Sequence, residues 1–231
     1  MQTIALSQLA LALIPAALVA FILWRWTDEA STSAYAISRM VLQLVAIGYV
    51  LTFIFETEHA SLVLLTLSIM LLVSSWIALR PIPLLRSSLY FRALAATSIV
   101  NVALLTLITQ LILETDPWFS PNVVIPLAGM VFAVGMNSIS LFAERFISES
   151  KGKSSIEARN TAFRATLIPI TNSLFAVGLV SLPGMMTGQI LSGVSPHIAV
   201  RYQILIMLML FSSTGLTAFV FYCLFPKSMK S

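Results

Sequence analysis

Seven stretches of this chain, roughly 4–24, 34–55, 60–79, 89–113, 122–143, 165–182 and 197–225, run apolar for about the length needed to cross a bilayer. Lipid offers no hydrogen-bonding partner to the backbone, so each stretch must satisfy its own N–H and C=O groups as a helix. Charged residues are 10% of the chain, against about 25% in a soluble domain, too few to cover a water-facing globule. The expected fold is therefore all-α, a polytopic membrane protein with about seven transmembrane helices in a single domain, 1–231. The first run has no Lys or Arg before it, and it reads as a spanning helix rather than a cleavable signal.

The connections fix an expected orientation. Twelve of the thirteen basic residues lie at alternate connections and in the tail: Arg25 and Arg39; Arg80, Arg86 and Arg92; Arg145, Lys151, Lys153, Arg159 and Arg164; Lys227 and Lys230. The other connections carry Glu56, Glu58, Glu114 and Asp116, with Arg201 nearby. The positive-inside rule then places the N-terminus outside and the C-terminus in the cytosol. On this topology residues 148–164 form the largest cytosolic loop. The basic residues are dispersed, which gives no footprint for nucleic acid.

That loop contains Gly152-Lys153-Ser154, the ending of a phosphate-binding G-x-x-x-x-G-K-[ST] motif. The position of the first glycine is Ile147, and an apolar helical run precedes it instead of a strand. A cradle of backbone N–H groups cannot be built that way. No H-E-x-x-H is present, no Asp lies inside a predicted span, and the single cysteine rules out a disulfide within the chain. Proton relays use intramembrane acids or histidines; here the acids all sit at or near predicted span ends.

Gln43, Asn101, Gln110, Asn137 and Asn172 are the amides inside predicted spans. They read first as interhelical hydrogen-bonding groups and alternatively as the wall of a pathway. Arg39 shares a helix face with Gln43 and can snorkel to the interface. The methionines read as core filler. The outer acids Glu56, Glu58, Glu114 and Asp116, with His59, read first as solvated loop ends that obey the charge rule, and alternatively as ligands that suit a divalent cation or as a diffuse electrostatic funnel.

The stretch "GLVSLPGMMTGQILSGVSP", 178–196, breaks the pattern. Pro183-Gly184 interrupts a helix, and residues 184–194 are too few to span. Ser195-Pro196 has the form of an N-cap followed by proline at N1. Gly184 and Gly188 make a small-residue face for close helix approach. Two readings stand: a hinge or pathway lining formed by Pro183, Gly184, Met185, Met186, Gly188 and Gln189, or a tight structural turn.

At "GLVSLPGMMTGQILSGVSPHIAVRYQI" the chain resembles the FetB-type permeases of bacterial ABC transporters, a family implicated in iron export that includes plant aluminium-tolerance permeases. "SRMVLQLVAIGYVLTFIF" (38–55), "VIPLAGM" (124–130) and "FRATLIPITNS" (163–173) are similar to family segments too, so the resemblance covers nearly the whole chain. It implies a permease domain in a bacterial inner membrane, without an ATPase of its own and with no cofactor of its own; ATP and Mg would be bound by a separate ATPase subunit. "GKSSIEA" resembles the family's G-A-S-x-x-E-A segment, with Gly152, Ser154, Glu157 and Ala158 at matching positions. By that resemblance 148–164 is a coupling segment seated on the ATPase, with Arg159 continuing it, though the family's loop is usually longer. It further implies two permeases paired with two ATPases, exporting iron or another metal whose ligands are unknown. The alternatives are a different substrate, such as a nucleotide-sugar or organic anion met by Arg201, and a non-transporting membrane assembly subunit.

Overall fold

The computed structural model describes residues 5–27, 30–55 and 59–226. Glu56, Glu58, Lys227 and Lys230 lie outside the described residues. The described residues form helices joined by turns and short connections, and the chain divides into two compact units, Met1–Thr57 and Glu58–Ser231.

In the first unit, α1 (Leu6–Leu11) and α2 (Leu13–Trp26) replace the single expected span at 4–24. Pro15 supplies the reason. It has no N–H to give the Leu11 carbonyl four residues back, and its ring crowds that carbonyl, so the helix breaks one turn before it. The third helix, α3 (Ala30–Phe55), is continuous.

The second unit holds α4 (Ala60–Ala78), a 3₁₀ turn (Pro83–Leu85), α5 (Arg86–Thr97), α6 (Ala103–Thr106), α7 (Pro121–Glu149), α8 (Ser155–Ala176), α9 (Gly184–Leu191) and α10 (Pro196–Leu224). Two π-helical stretches, Ser98–Val102 and Leu107–Ile112, join α5 and α6 into one rod. Pro81 and Pro83 prevent α4 from running on into α5. Arg86 clamps that corner: its Nε and Nη2 donate to the Trp76 carbonyl at 3.1 and 2.9 Å, and its guanidinium sits 3.9 Å from the Trp76 ring centroid. The charge neutralises the carbonyl end of α4.

Five of the described helical segments are long and apolar enough to cross a membrane: Ala30–Thr52, Ala60–Ala78, Pro83–Ile112, Pro121–Glu149 and Pro196–Leu224. The structure departs from the expected seven at both remaining stretches. Besides the break in the first, the expected span at 165–182 ends at Ala176. Its helix begins instead at Ser155, inside the segment expected to be a loop, which shrinks the true connection after α7 to residues 150–154.

The core of the second unit is a ladder of rings between α7 and α10. Phe142 and Phe146 stack at 5.7 Å, Phe221 meets Phe142 edge-on at 6.4 Å, and Phe225 closes on Phe146 at 5.3 Å. Fully buried Ala78, Ala93, Ala96, Ala143, Ala158, Ala162 and Ala218 surround them. In lipid, helices gain little from hiding apolar surface; close packing through small residues holds them together. Hydroxyls add cross-links: Ser138 Oγ donates to the Thr214 carbonyl at 2.6 Å and Ser140 Oγ to the Ala78 carbonyl at 2.7 Å.

Asn101, fully buried in the first π-helical stretch, accepts from Ser213 Oγ at 2.6 Å. This amide therefore does act as interhelical glue, joining the rod to α10. A Cβ at Gly135 would fall 2.5 Å from Asn101 Nδ2, so the rod and α7 touch there through a missing side chain. Gly135→Ala is expected to cost about 1–3 kcal/mol through overpacking, read as a lower melting temperature in detergent. Adding Asn101→Ala should recover part of that loss, because it removes the atom the new methyl strikes; equal melting for Gly135→Ala and wild type would contradict the contact.

Candidate functional site: a proline-lined cleft and a capped helical tip

The connection after α7 is held by charge. Glu149 takes Arg145 Nη2 at 2.6 Å on one carboxylate oxygen and Lys153 Nζ at 2.5 Å on the other. Lys153, the lysine of the Gly-Lys-Ser triplet, is thus engaged with a carboxylate rather than presented to a phosphate.

The start of α8 is a capping box. Ser154 Oγ accepts from the Glu157 backbone N–H at 3.3 Å, while Glu157 Oε2 accepts from the Ser154 backbone N–H at 3.2 Å and from its hydroxyl at 2.8 Å. This is the S-x-x-E signature of a helix start, and it is legible in "SSIE" at 154–157. Those hydrogen bonds hold the Glu157 carboxyl below the usual range, the side-chain bond from Ser154 being the largest cause. A depressed folded pKa means the cap's contribution is fully present above the ordinary Glu value of about 4.3 and is lost as pH falls through the lower folded value. The Glu157 and Ala158 amides should therefore exchange faster, after correction for intrinsic rate, at pH 3.5 than at pH 6. Ser154→Ala should raise their exchange at both.

The five residues expected to touch a partner do different work here. Gly152, Ser154 and Glu157 are exposed, Ser154 and Glu157 being committed to the cap. Ala158 is fully buried against the aromatic core, so it anchors the tip and offers no side chain to a partner. Arg159 turns inward, 5.7 Å from the Tyr222 ring centroid, with Nε and Nη2 donating to Asn160 Oδ1. The side chain that projects is Ile156, 61% exposed at the helix's first turn, which inspection of the G-x-S-x-x-E-A pattern missed.

The other end of α8 opens onto a cleft of about 400 Å³. Its walls come from α7, α8, α10 and the 177–183 connection, and they include Asn137, Ser138, Pro169, Ser173, Pro183 and Thr214. Pro169 lies inside α8 and cannot donate to the Ala165 carbonyl. Ser173 Oγ donates to the Pro169 carbonyl at 3.0 Å. The cleft thus offers hydroxyls and an amide in an otherwise apolar wall. Asn137, expected as glue or as pathway wall, lies on this wall.

The connection beyond is built from turns. Val177 is extended and Gly178 has φ +86°, with the Leu179 N–H 3.3 Å from the Ala176 carbonyl, a type II turn that requires glycine at its third position. Pro183 caps α9. That short helix ends in a Schellman motif: Gly193, at φ +93°, donates to the Ile190 carbonyl, and Val194 to the Gln189 carbonyl, each at 3.0 Å. Ser195-Pro196 opens α10 as the sequence predicts, with no side-chain cap bond.

Among the residues expected at a hinge, Pro183 lines the cleft, and Met186 lines an apolar pocket of about 420 Å³ beside it. Met185 is half-buried. Gln189 is half-buried too, its Oε1 enclosed without a hydrogen bond among the described residues. Gly184 and Gly188 meet nothing within 4 Å of an added Cβ, so the close helix contact expected of them is not made among the described residues of the second unit. Of the outer acids, Glu114 and Asp116 are exposed, Glu114 in the left-handed conformation at φ +48° where the π-helical rod ends. No group of three His, Cys, Asp or Glu side chains is placed to hold a metal among the described residues.

Comparison with known proteins bears on this geometry. The profile of the family described as "Uncharacterised protein family (UPF0014)" matches residues 6–229. The chain belongs to that family. Within UPF0014 it is 34% identical over 220 residues to the UPF0014 membrane protein slr1647 of Synechocystis, covering 87% of this chain and 84% of that one. It is 34% identical over 204 residues to the probable iron export permease protein FetB of Escherichia coli, covering 80% and 76%. Protein ALUMINUM SENSITIVE 3 of Arabidopsis thaliana is 32% identical over 195 residues, covering 76% and 69%. No solved structure matches the chain. The tip, the cleft and the broken segment between α8 and α10 all lie inside the UPF0014 match, and the chain is a multi-pass helical membrane protein of that family.

Proposed function

We propose that this chain is the permease subunit of an ABC transporter that exports iron or another metal, driven by a separate ATPase subunit. The observation that carries the proposal is one continuous helix, α8, with a capped tip projecting Ile156 at one end and, at the other, a largely apolar cleft that carries hydroxyls and an amide. An unbroken helix between a docking tip and a pathway suits coupling, since a push at the tip then reaches the cleft without dissipating in a loop. The name borne by the Escherichia coli relative supplies the substrate class.

In this reading the chain crosses a bacterial inner membrane seven times. The first pass uses α1 and α2, and another uses α8 with the 177–183 turn. The N-terminus faces outward and the C-terminus the cytosol, following the distribution of basic residues. Two copies enclose one path and seat on two ATPases, which bind ATP and Mg. Gly152, Ser154 and Glu157 shape the docking tip, and Ala158 and Arg159 brace it. The connection around Pro183 and Gly184 flexes at the outer end, with Met185, Met186, Gly188 and Gln189 riding on it.

A metal ion would descend a path of hydroxyl, amide and carbonyl oxygens rather than meet a buried carboxylate, which is costly in a membrane. Glu114 and Asp116, with Glu56 and Glu58, act as a diffuse funnel at the outer face. Such a field is summed over charges and screened within about 8 Å at physiological salt. Neutralising any one of the four acids should change metal efflux less than twofold, and neutralising all four should reduce it several-fold. Complete loss from one substitution would reveal a specific ligand instead. Co-expression with the cognate ATPase tests the class: a complex should form, and its ATPase activity should depend on this chain. An ATPase whose activity and membrane association ignore the chain would leave a non-transporting assembly role.

A further inference from the structure

At the end of the second unit where α8 begins and α10 ends, a groove of about 600 Å³ opens between α7, α8 and α10. Arg159 and Arg164 line it with Phe142, Phe163, Phe219 and Tyr222. Among the described residues neither arginine lies within ion-pair distance of a carboxylate. Asn160 Oδ1 takes two of the N–H groups of Arg159, which leaves three of the guanidinium's five donors available. The groove therefore presents concentrated positive charge beside aromatic walls. It is continuous with an apolar face: Leu216 and Phe219, one turn apart on α10, are 47% and 55% exposed on a helix long and apolar enough to span a membrane.

We propose that this groove seats one anionic phospholipid, its phosphate held by Arg159 and Arg164 and its acyl chains lying along Phe219 and Leu216. Charge and shape both point to that occupant. A guanidinium recognises a phosphodiester through paired N–H donors, and basic pockets between helices at a membrane surface collect anionic headgroups. A soluble anion would leave the apolar face unused. A zwitterionic lipid offers the same chains, but its ammonium meets the two guanidiniums unfavourably. The lipid would fill the space between the start of α8 and the end of α10, bracing the base of the capped tip.

The test uses the full chain, extracted from vesicles containing equal phosphatidylglycerol and phosphatidylcholine, with retained lipid counted by native mass spectrometry. Wild type should hold phosphatidylglycerol over phosphatidylcholine by about fivefold or more, and Arg159→Gln/Arg164→Gln should bring the ratio close to one. Arg145→Gln, outside the groove, should leave it unchanged. Arg164 is exposed, so Arg164→Gln alone tests the seat if the double variant fails to fold, and it should lower the ratio at least twofold. Phosphatidylglycerol should also raise the wild-type melting temperature, and 10 mM inorganic phosphate should not. Equal retention of both lipids by wild type, or an undiminished ratio in a folded arginine variant, overturns the proposal. A shift reproduced by phosphate would mark a free-anion site. Loss of ATPase co-purification with lipid preference intact would mark a protein-docking surface. Either result overturns the lipid seat.

Discussion

Ile156→Glu is expected to reduce ATPase-coupled metal efflux at least tenfold while the chain still inserts and accumulates in the membrane. Ile156 is 61% exposed at the first turn of α8, so the substitution removes no core contact and leaves the Ser154–Glu157 cap in place. At a docked interface an exposed apolar side chain at the centre of a contact carries a disproportionate share of the binding energy, about 2 kcal/mol or more at a hot spot. Replacing it with a carboxylate adds desolvation cost on top. A loss of 2 kcal/mol is roughly a thirtyfold change in affinity. Co-purification of the ATPase and efflux should fall together. Ser154→Ala is the informative companion. It weakens the cap by about 1 kcal/mol without changing the surface charge or Ile156, so it should loosen the tip and lower efflux only modestly. Full efflux and full complex yield from Ile156→Glu would remove the tip from the docking surface.

Ser173→Trp should block efflux by a different route. Ser173 is exposed in the structure and lines the cleft between α7, α8 and α10. A tryptophan there fills much of a cavity of about 400 Å³ without displacing a core residue. The expected result is at least a tenfold loss of efflux, with ATPase docking retained and basal ATP hydrolysis close to wild type. That separates the two sites: the tip variant uncouples by losing the partner, the cleft variant by closing the path. Ser173→Ala, which deletes only the bond to the Pro169 carbonyl, should transport within about twofold of wild type. Normal efflux through Ser173→Trp would place the path elsewhere.

Much of the fold is legible in the apolar runs, because lipid allows a long apolar segment little besides a helix. The exceptions are local. The first run hides a proline, Pro15, whose missing N–H splits it into α1 and α2. In 165–182 hydropathy alone misplaces both ends of the helix: "SSIE" is a start signal that lies in polar sequence, and Gly178 terminates the helix before the more conspicuous Pro183. The resemblance of "GKSSIEA" to a family segment groups Gly152, Ser154, Glu157, Ala158 and Arg159 by residue type and spacing alone. It could not show that Ala158 and Arg159 face inward while Ile156 projects. The cleft was less legible still, since Asn137, Ser173 and Thr214 come from three helices and no spacing joins them. The contact of Asn101 with Gly135 likewise spans two distant elements and becomes visible only as packing.

The central claim is that this UPF0014 chain converts ATP hydrolysis by a separate subunit into metal movement. The most direct measurement is efflux of ferrous iron from oriented proteoliposomes holding the chain alone, its cognate ATPase alone, or both, with and without Mg-ATP. The account predicts iron movement that requires both proteins and Mg-ATP and that stops in Ile156→Glu. Iron movement by the chain alone at the same rate, or none with a stable, ATP-hydrolysing complex, would contradict it.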